Sequence, residues 1–168
     1  MHAVILYLRE GPMKKEARKL LEEAYNLHLR GDVDGAIELY RQSIEIEPTA
    51  KAYTFLGWAY SMKGDYEKAI EACRRAIDLD PEYGNPYNDI GAYLIELGRA
   101  EEAIPWLKRA LAVRNFEVPH FAYLNMARAY LTLGRFFEAL ESVNRALDID
   151  PNYRPTHEVR HQILAMLN

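Results

Sequence analysis

The sequence predicts an all-α fold, a solenoid of stacked antiparallel helix pairs. Three observations predict it. Four glycines, Gly31, Gly64, Gly98 and Gly134, recur at spacings of 33, 34 and 36 residues. Around each, small residues hold fixed places: Ala24, Gly57, Gly91 and Ala127 seven before it, Ala36, Ala69, Ala103 and Ala139 five after, and Ser43, Ala76, Ala110 and Ala146 twelve after. Large residues keep one helical face between them: Leu20, Tyr53, Tyr87 and Tyr123; Leu27, Tyr60, Leu94 and Tyr130; Ile37, Ile70, Ile104 and Leu140; Ile44, Ile77, Leu111 and Leu147. Small residues let two helix axes approach to about 8–10 Å, and the offsets between the large ones fit a period of about 3.6 residues.

The elements follow in order. A first helix is predicted over 13–30 and its partner over 33–46. Gly31 can take the left-handed conformation that ends a helix, and Asp32 can cap the next one. The second pair is predicted over 51–63 and 66–79, with Asp65 as cap and Pro81 as stop. The third covers 85–97 and 100–114, with Pro105 inside its second helix, where it crowds the carbonyl of Glu101 and predicts a kink or a first turn that absorbs it. A longer loop is expected over 113–119, because Asn115 stands where Pro48, Pro81 and Pro151 close the other units. The fourth pair covers 120–133 and 136–149. A last helix is predicted over 155–167, with Pro155 at its first turn, Val159, Ile163 and Met166 or Leu167 inward, and Glu158, Arg160 and Gln162 in water.

This pattern resembles the tetratricopeptide repeat, a helix–turn–helix unit of about 34 residues. The second copy carries it best, with Tyr53, Leu56, Gly57, Tyr60, Gly64, Ala69, Ala76 and Pro81. The resemblance covers about residues 17–153, as repeats 17–49, 50–83, 84–119 and 120–153, with a capping helix 155–167 behind them. The single repeat domain then spans 13–168. Glu23 departs from the family's leucine, which suits an end repeat facing water. The resemblance implies a right-handed superhelix in which the first helix of each pair lines a concave groove. It also implies a peptide or helix of a partner protein in that groove.

The family geometry implies which residues line the groove. The first repeat offers Arg18, Leu21, Glu22, Tyr25 and Leu29, and the second Lys51, Thr54, Phe55, Trp58 and Met62. The third offers Asn85, Asn88, Asp89, Ala92 and Glu96, and the fourth Phe121, Leu124, Asn125, Arg128 and Thr132. Of these, Leu21, Tyr25, Lys51, Phe55, Trp58, Met62, Asn85, Asn88, Asp89, Phe121, Asn125 and Arg128 are the candidate partner contacts. Family members that clamp a C-terminal carboxylate do so with a Lys/Asn/Asn/Lys/Arg set. Here those places hold Leu21, Tyr25, Phe55, Asn85 and Asp89, without a cation. An asparagine ladder at one position per repeat is also missing: that position reads Glu22, Phe55, Asp89 and Asn125.

Composition bounds the rest. At 168 residues the length suits one domain, and 49% hydrophobic residues can fill a continuous seam. A net charge of −4 gives no electrostatic basis for broad nucleic-acid binding. No apolar run approaches the ~20 residues of a membrane span. The lone Cys73 falls at a core place, supports no disulfide and fits a reducing, cytoplasmic compartment. No cofactor is implied.

Residues 1–12, MHAVILYLREGP, stand outside the repeat. They lack the basic leader and small-residue cleavage site of a signal peptide. Three readings remain open: a cap over the first repeat, an occupant of a groove (its own or that of a second chain, giving a homo-oligomer), or a natural start at Met13. The one catalytic-looking string is His157-Glu158-Val159-Arg160-His161, the H-E-x-x-H of zinc hydrolases. Catalytic zinc needs a third protein ligand and a sheltered site. No His, Asp or Glu follows His161, so the string is read as the wet face of the last helix and the protein as no enzyme.

Overall fold

A computed structural model describes residues 11–167. They form nine α-helices: α1 (Pro12–Leu29), α2 (Val33–Ile46), α3 (Ala50–Met62), α4 (Tyr66–Leu79), α5 (Asn85–Glu96), α6 (Ala100–Ala112), α7 (Pro119–Thr132), α8 (Phe136–Ile149) and α9 (Arg154–Leu167). The calls on residues 1–12 lie outside the described residues except at the end. Gly11 is the N-cap of α1, and Pro12, read as tail, is its first residue.

The turns work as the glycine spacing requires. Gly31, Gly64, Gly98 and Gly134 have φ of 84°, 76°, 74° and 70°, the only positive values among the described residues. Only glycine adopts these without strain. The Asp32 carboxylate accepts from the Gly35 amide at 3.0 Å, and Asp65 caps α4 in the same way. Arg99 and Arg135 occupy the matching places before α6 and α8 and cannot accept an amide. They instead pair with Glu102 and Glu138 one turn on, at 2.6 and 2.8 Å.

Every helix packs on its neighbour in sequence. In addition α1 touches α3, α3 touches α5, α5 touches α7 and α7 touches α9, whereas no two even-numbered helices touch. The odd helices therefore form the crowded inner layer and the even ones the spread outer layer. That asymmetry curves the stack and puts a concave face along α1, α3, α5 and α7.

The seam between the layers is built from the small residues. Ala24, Ala36, Ala69, Ala103, Ala127 and Ala139 have no exposed surface. Ser43, the one hydroxyl in its register, is satisfied by donating to the Ala17 carbonyl at 2.7 Å. A further buried row was not anticipated beyond Cys73: Tyr40, Leu107 and Val143 stand at the same register, nine residues past each glycine, all without exposure.

The structure fills in two expectations and corrects a third. Pro105 leaves α6 continuous, and it and Glu101 are both exposed, which puts the missing hydrogen bond on the wet side of the helix. The long connection over 113–118 is tied down. Asn115 forms a parallel bridge with Tyr83, donates to the Glu82 carbonyl at 3.1 Å and accepts from the Gly84 amide at 2.8 Å. The Arg114 amide adds a bond to the Glu82 carboxylate at 3.3 Å. A proline at 115 would lack the donor. In α9, Ile163 is inward and Val159 half-buried, but Met166 and Leu167 are exposed; the other inward residue is Thr156.

Candidate functional site: the concave face

The first stretch of the face is aromatic. On α1 and α3, Tyr25 stacks on Phe55 with centroids 5.1 Å apart, and Trp58 lies 6.4 Å from Tyr25. All three are half-buried. Behind them sits a polar support the sequence reading missed. His28, buried, packs its ring 3.9 Å from Trp58. Its Nδ1 is 3.2 Å from the Tyr40 hydroxyl and its Nε2 2.8 Å from Met62 Sδ. Burial holds the imidazole below its ordinary value and the Tyr40 phenol above its own. The signal for His28 was available: it is a polar residue four positions from Ala24 on the inward stripe of α1.

Two clefts flank the aromatic step. One, of about 870 Å³, is lined by Leu21, Tyr25, Lys51 and Phe55 with Lys14, Arg18, Glu22 and Glu47. Lys14 is paired with Glu47 at 3.4 Å, and Lys51 lies 5.6 Å over the Phe55 ring. The other, of about 450 Å³, lies between α3 and α5. It is lined by Phe55, Trp58, Met62, Asn85, Asp89 and Glu96, joined by Tyr66 and Tyr93. Tyr66 comes from the start of α4, an outer-layer helix, and no feature of the sequence points to it.

Further along, the face is a polar chain. Asn88 donates to the Asp89 carboxylate at 3.2 Å and accepts from the Asn125 amide at 3.1 Å. Arg128 donates to the Asn125 carbonyl oxygen at 3.2 Å and to Glu96 at 2.6 Å. Burial pushes the Asp89 carboxyl up to about 7, against the pull of the Asn88 amide. Phe121, at the far end, packs against His120 and Tyr153 at 4.2 and 5.3 Å.

The structure thus brings Leu21, Tyr25, Lys51, Phe55, Trp58, Met62, Asn85 and Asp89 to the two clefts, and Asn125 and Arg128 to the face beyond. It does not leave Asn88 on the open face: at 7% exposure it is a tie between α5 and α7. Thr54 and Leu124, at the same register, are buried too. At Asn88 that register, ten before the turn glycine, closes on the following repeat. Leu21, at the same register, stays half-open.

The H-E-x-x-H residues lie away from this face and are exposed. His157 Nε2 donates to the Pro151 carbonyl at 2.7 Å, and Glu158 is paired with Arg154 at 2.9 Å. Among the described residues no three His, Cys, Asp or Glu side chains gather as a metal set, and no helix is long and apolar enough to cross a membrane.

Family models described as tetratricopeptide repeat match residues 50–83 and 82–152. The chain belongs to the tetratricopeptide repeat family. A Hsp70-Hsp90 organising protein of Plasmodium falciparum is 34% identical over 65 residues, which are 39% of this chain and 25% of that protein. This chain thus aligns with a quarter of that relative's length. Among solved structures, Pseudomonas aeruginosa pilF superposes with a TM-score of 0.84 at 20% identity, covering 92% of this chain and 70% of that one. The first tetratricopeptide domain of Spaghetti (RPAP3), bound to the HSP90 peptide SRMEEVD, gives 0.65 at 22% identity, covering 70% and 92%. At these identities the structural likeness is one of fold.

Proposed function

We propose that this tetratricopeptide repeat protein is a protein–protein interaction scaffold. Its concave face takes a peptide or helix of a partner, and it performs no chemistry of its own. The observation that carries this is the half-open step of Tyr25, Phe55 and Trp58 between two clefts. Half-buried aromatics beside open space are the composition of interface hot spots. The relative bound to an HSP90 peptide supports a peptide ligand in general terms.

Trp58→Ala tests the reading. It is expected to weaken retention of a partner from an extract of the native cell by about 2 kcal/mol or more, roughly thirty-fold. Helical circular dichroism should persist, because Trp58 is half-buried at the edge of the α3–α5 cleft rather than in the core. Retention equal to that of the unmodified protein overturns it.

The ligand is not proposed to be an acidic chaperone tail. The five clamp places hold Leu21, Tyr25, Phe55, Asn85 and Asp89, and Asp89 would repel a carboxylate. The peptide SRMEEVD is expected to show no saturable binding in the micromolar range by isothermal titration. Saturation in that range would overturn this exclusion.

A further inference from the structure

We propose that the cleft between α3 and α5 is a seat for one basic side chain, lysine or arginine, of the segment that the concave face binds. This rests on the scaffold reading and specifies its ligand.

Charge is the first argument. The cleft is lined by two carboxylates, Asp89 and Glu96, and by no lysine or arginine. The two acids differ. Glu96 is already paired with Arg128 at 2.6 Å. Asp89 accepts from the Asn88 amide, and no lysine or arginine among the described residues pairs with it. Hydrogen bonding is the second argument. On the same wall the Asn85 side-chain oxygen is buried without a donor. An acceptor left in that state is costly, and Lys and Arg carry only donors. The walls are the third. Phe55, Trp58, Tyr66 and Tyr93 present aromatic surface, which attracts cations through the negative ring face and covers the aliphatic stem of a long basic side chain.

Proton linkage gives the seat a signature. A cation favours ionised Asp89, whose carboxyl burial pushes up to about 7. Cys73 on α4, Tyr83 before α5 and Tyr93 on α5 feel the Asp89 charge, but burial pushes all three up and keeps them neutral at this pH. Arg128 of α7 is paired with Glu96. His28, behind Trp58, is held below its ordinary value.

The experiment is selection from a display library of random dodecapeptides on the full chain at pH 8, repeated with Asp89→Asn. The expected result is one position fixed as Lys or Arg with apolar neighbours, and loss of that preference in the variant. The best histidine-free peptide should bind the unmodified chain about ten-fold more weakly at pH 6 than at pH 8. Enrichment of peptides with no basic position, or with an acid there, overturns the seat and leaves the scaffold standing. So does a basic preference that survives Asp89→Asn. The pH series on the unmodified chain decides the matter if the variant loses helical structure: a flat profile overturns the seat. Enrichment of no peptide overturns the scaffold reading, and the seat with it.

Discussion

Leu107→Ala is expected to destabilise the protein by about 2–5 kcal/mol, the range for emptying a buried leucine site. In a chain of this size that lowers the melting temperature by about 5–20 °C. Leu107 has no exposed surface and fills the space that Gly91 leaves on the facing helix. A Cβ placed on Gly91 would lie 2.5 Å from both Leu107 Cγ and Cδ2. Gly91→Ala alone therefore forces Leu107 aside, an overpacking cost of about 1–3 kcal/mol, offset by about 1 kcal/mol because alanine is the better helix former. In the Leu107→Ala background the obstruction is gone and the helix gain remains. The sign of Gly91→Ala should reverse there. Urea unfolding of the four proteins measures it as a double-mutant cycle. Additive effects would mean that the two side chains do not share one space.

Ala69→Leu is the second large effect, expected at about 1–3 kcal/mol and occasionally more. Ala69 has no exposed surface, and its carbonyl oxygen lies 3.0 Å from where Gly57 would carry a Cβ. α3 and α4 approach closely here, so the added carbons have no free space to enter. Leucine is a good helix former, so propensity cannot account for a loss. Glu71→Leu, two residues on, is the control. Glu71 is exposed and its pair with Arg75 at 3.3 Å is solvated, so the change should stay within about half a kcal/mol. Equal losses at both sites would refute the assigned helix faces.

The fold was legible because its determinants are local and repeated. A glycine at positive φ and a small residue at a fixed offset each act within one or two turns, and four copies in register reinforce one another, with a capping aspartate in two of them. The concave face was less legible. Phe55, Trp58 and Asp89 were found because they sit at a register that opens to the groove. Asn88 was misplaced because whether a residue ten before the glycine is open depends on the neighbouring repeat, which one unit's pattern does not encode. Tyr66 was missed for the same reason: it reaches the site from another helix. His28 was missed although its place four past Ala24 on the inward stripe of α1 was readable. The tie of Asn115 to residues 82–84 was invisible too. It joins loops more than thirty residues apart, and the sequence shows only that a proline is missing.

That tie has a mechanical consequence. Pulled along its axis, a solenoid of this kind stretches like a coil spring whose compliance resides in the joints between successive turns. Elsewhere those joints rest on side-chain contacts, among them the Lys63–Asp34 ion pair and the Arg128–Glu96 pair. Between residues 82–84 and 114–115, three backbone-donated hydrogen bonds clasp adjacent coils. These bonds lie across the gap and would have to break before the coils part. The middle of the spring therefore carries backbone bonds between coils that, among the described residues, the α2/α3 and α8/α9 joints lack. The α3–α5 cleft sits beside the clasp, with Asn85 of its wall next to Gly84.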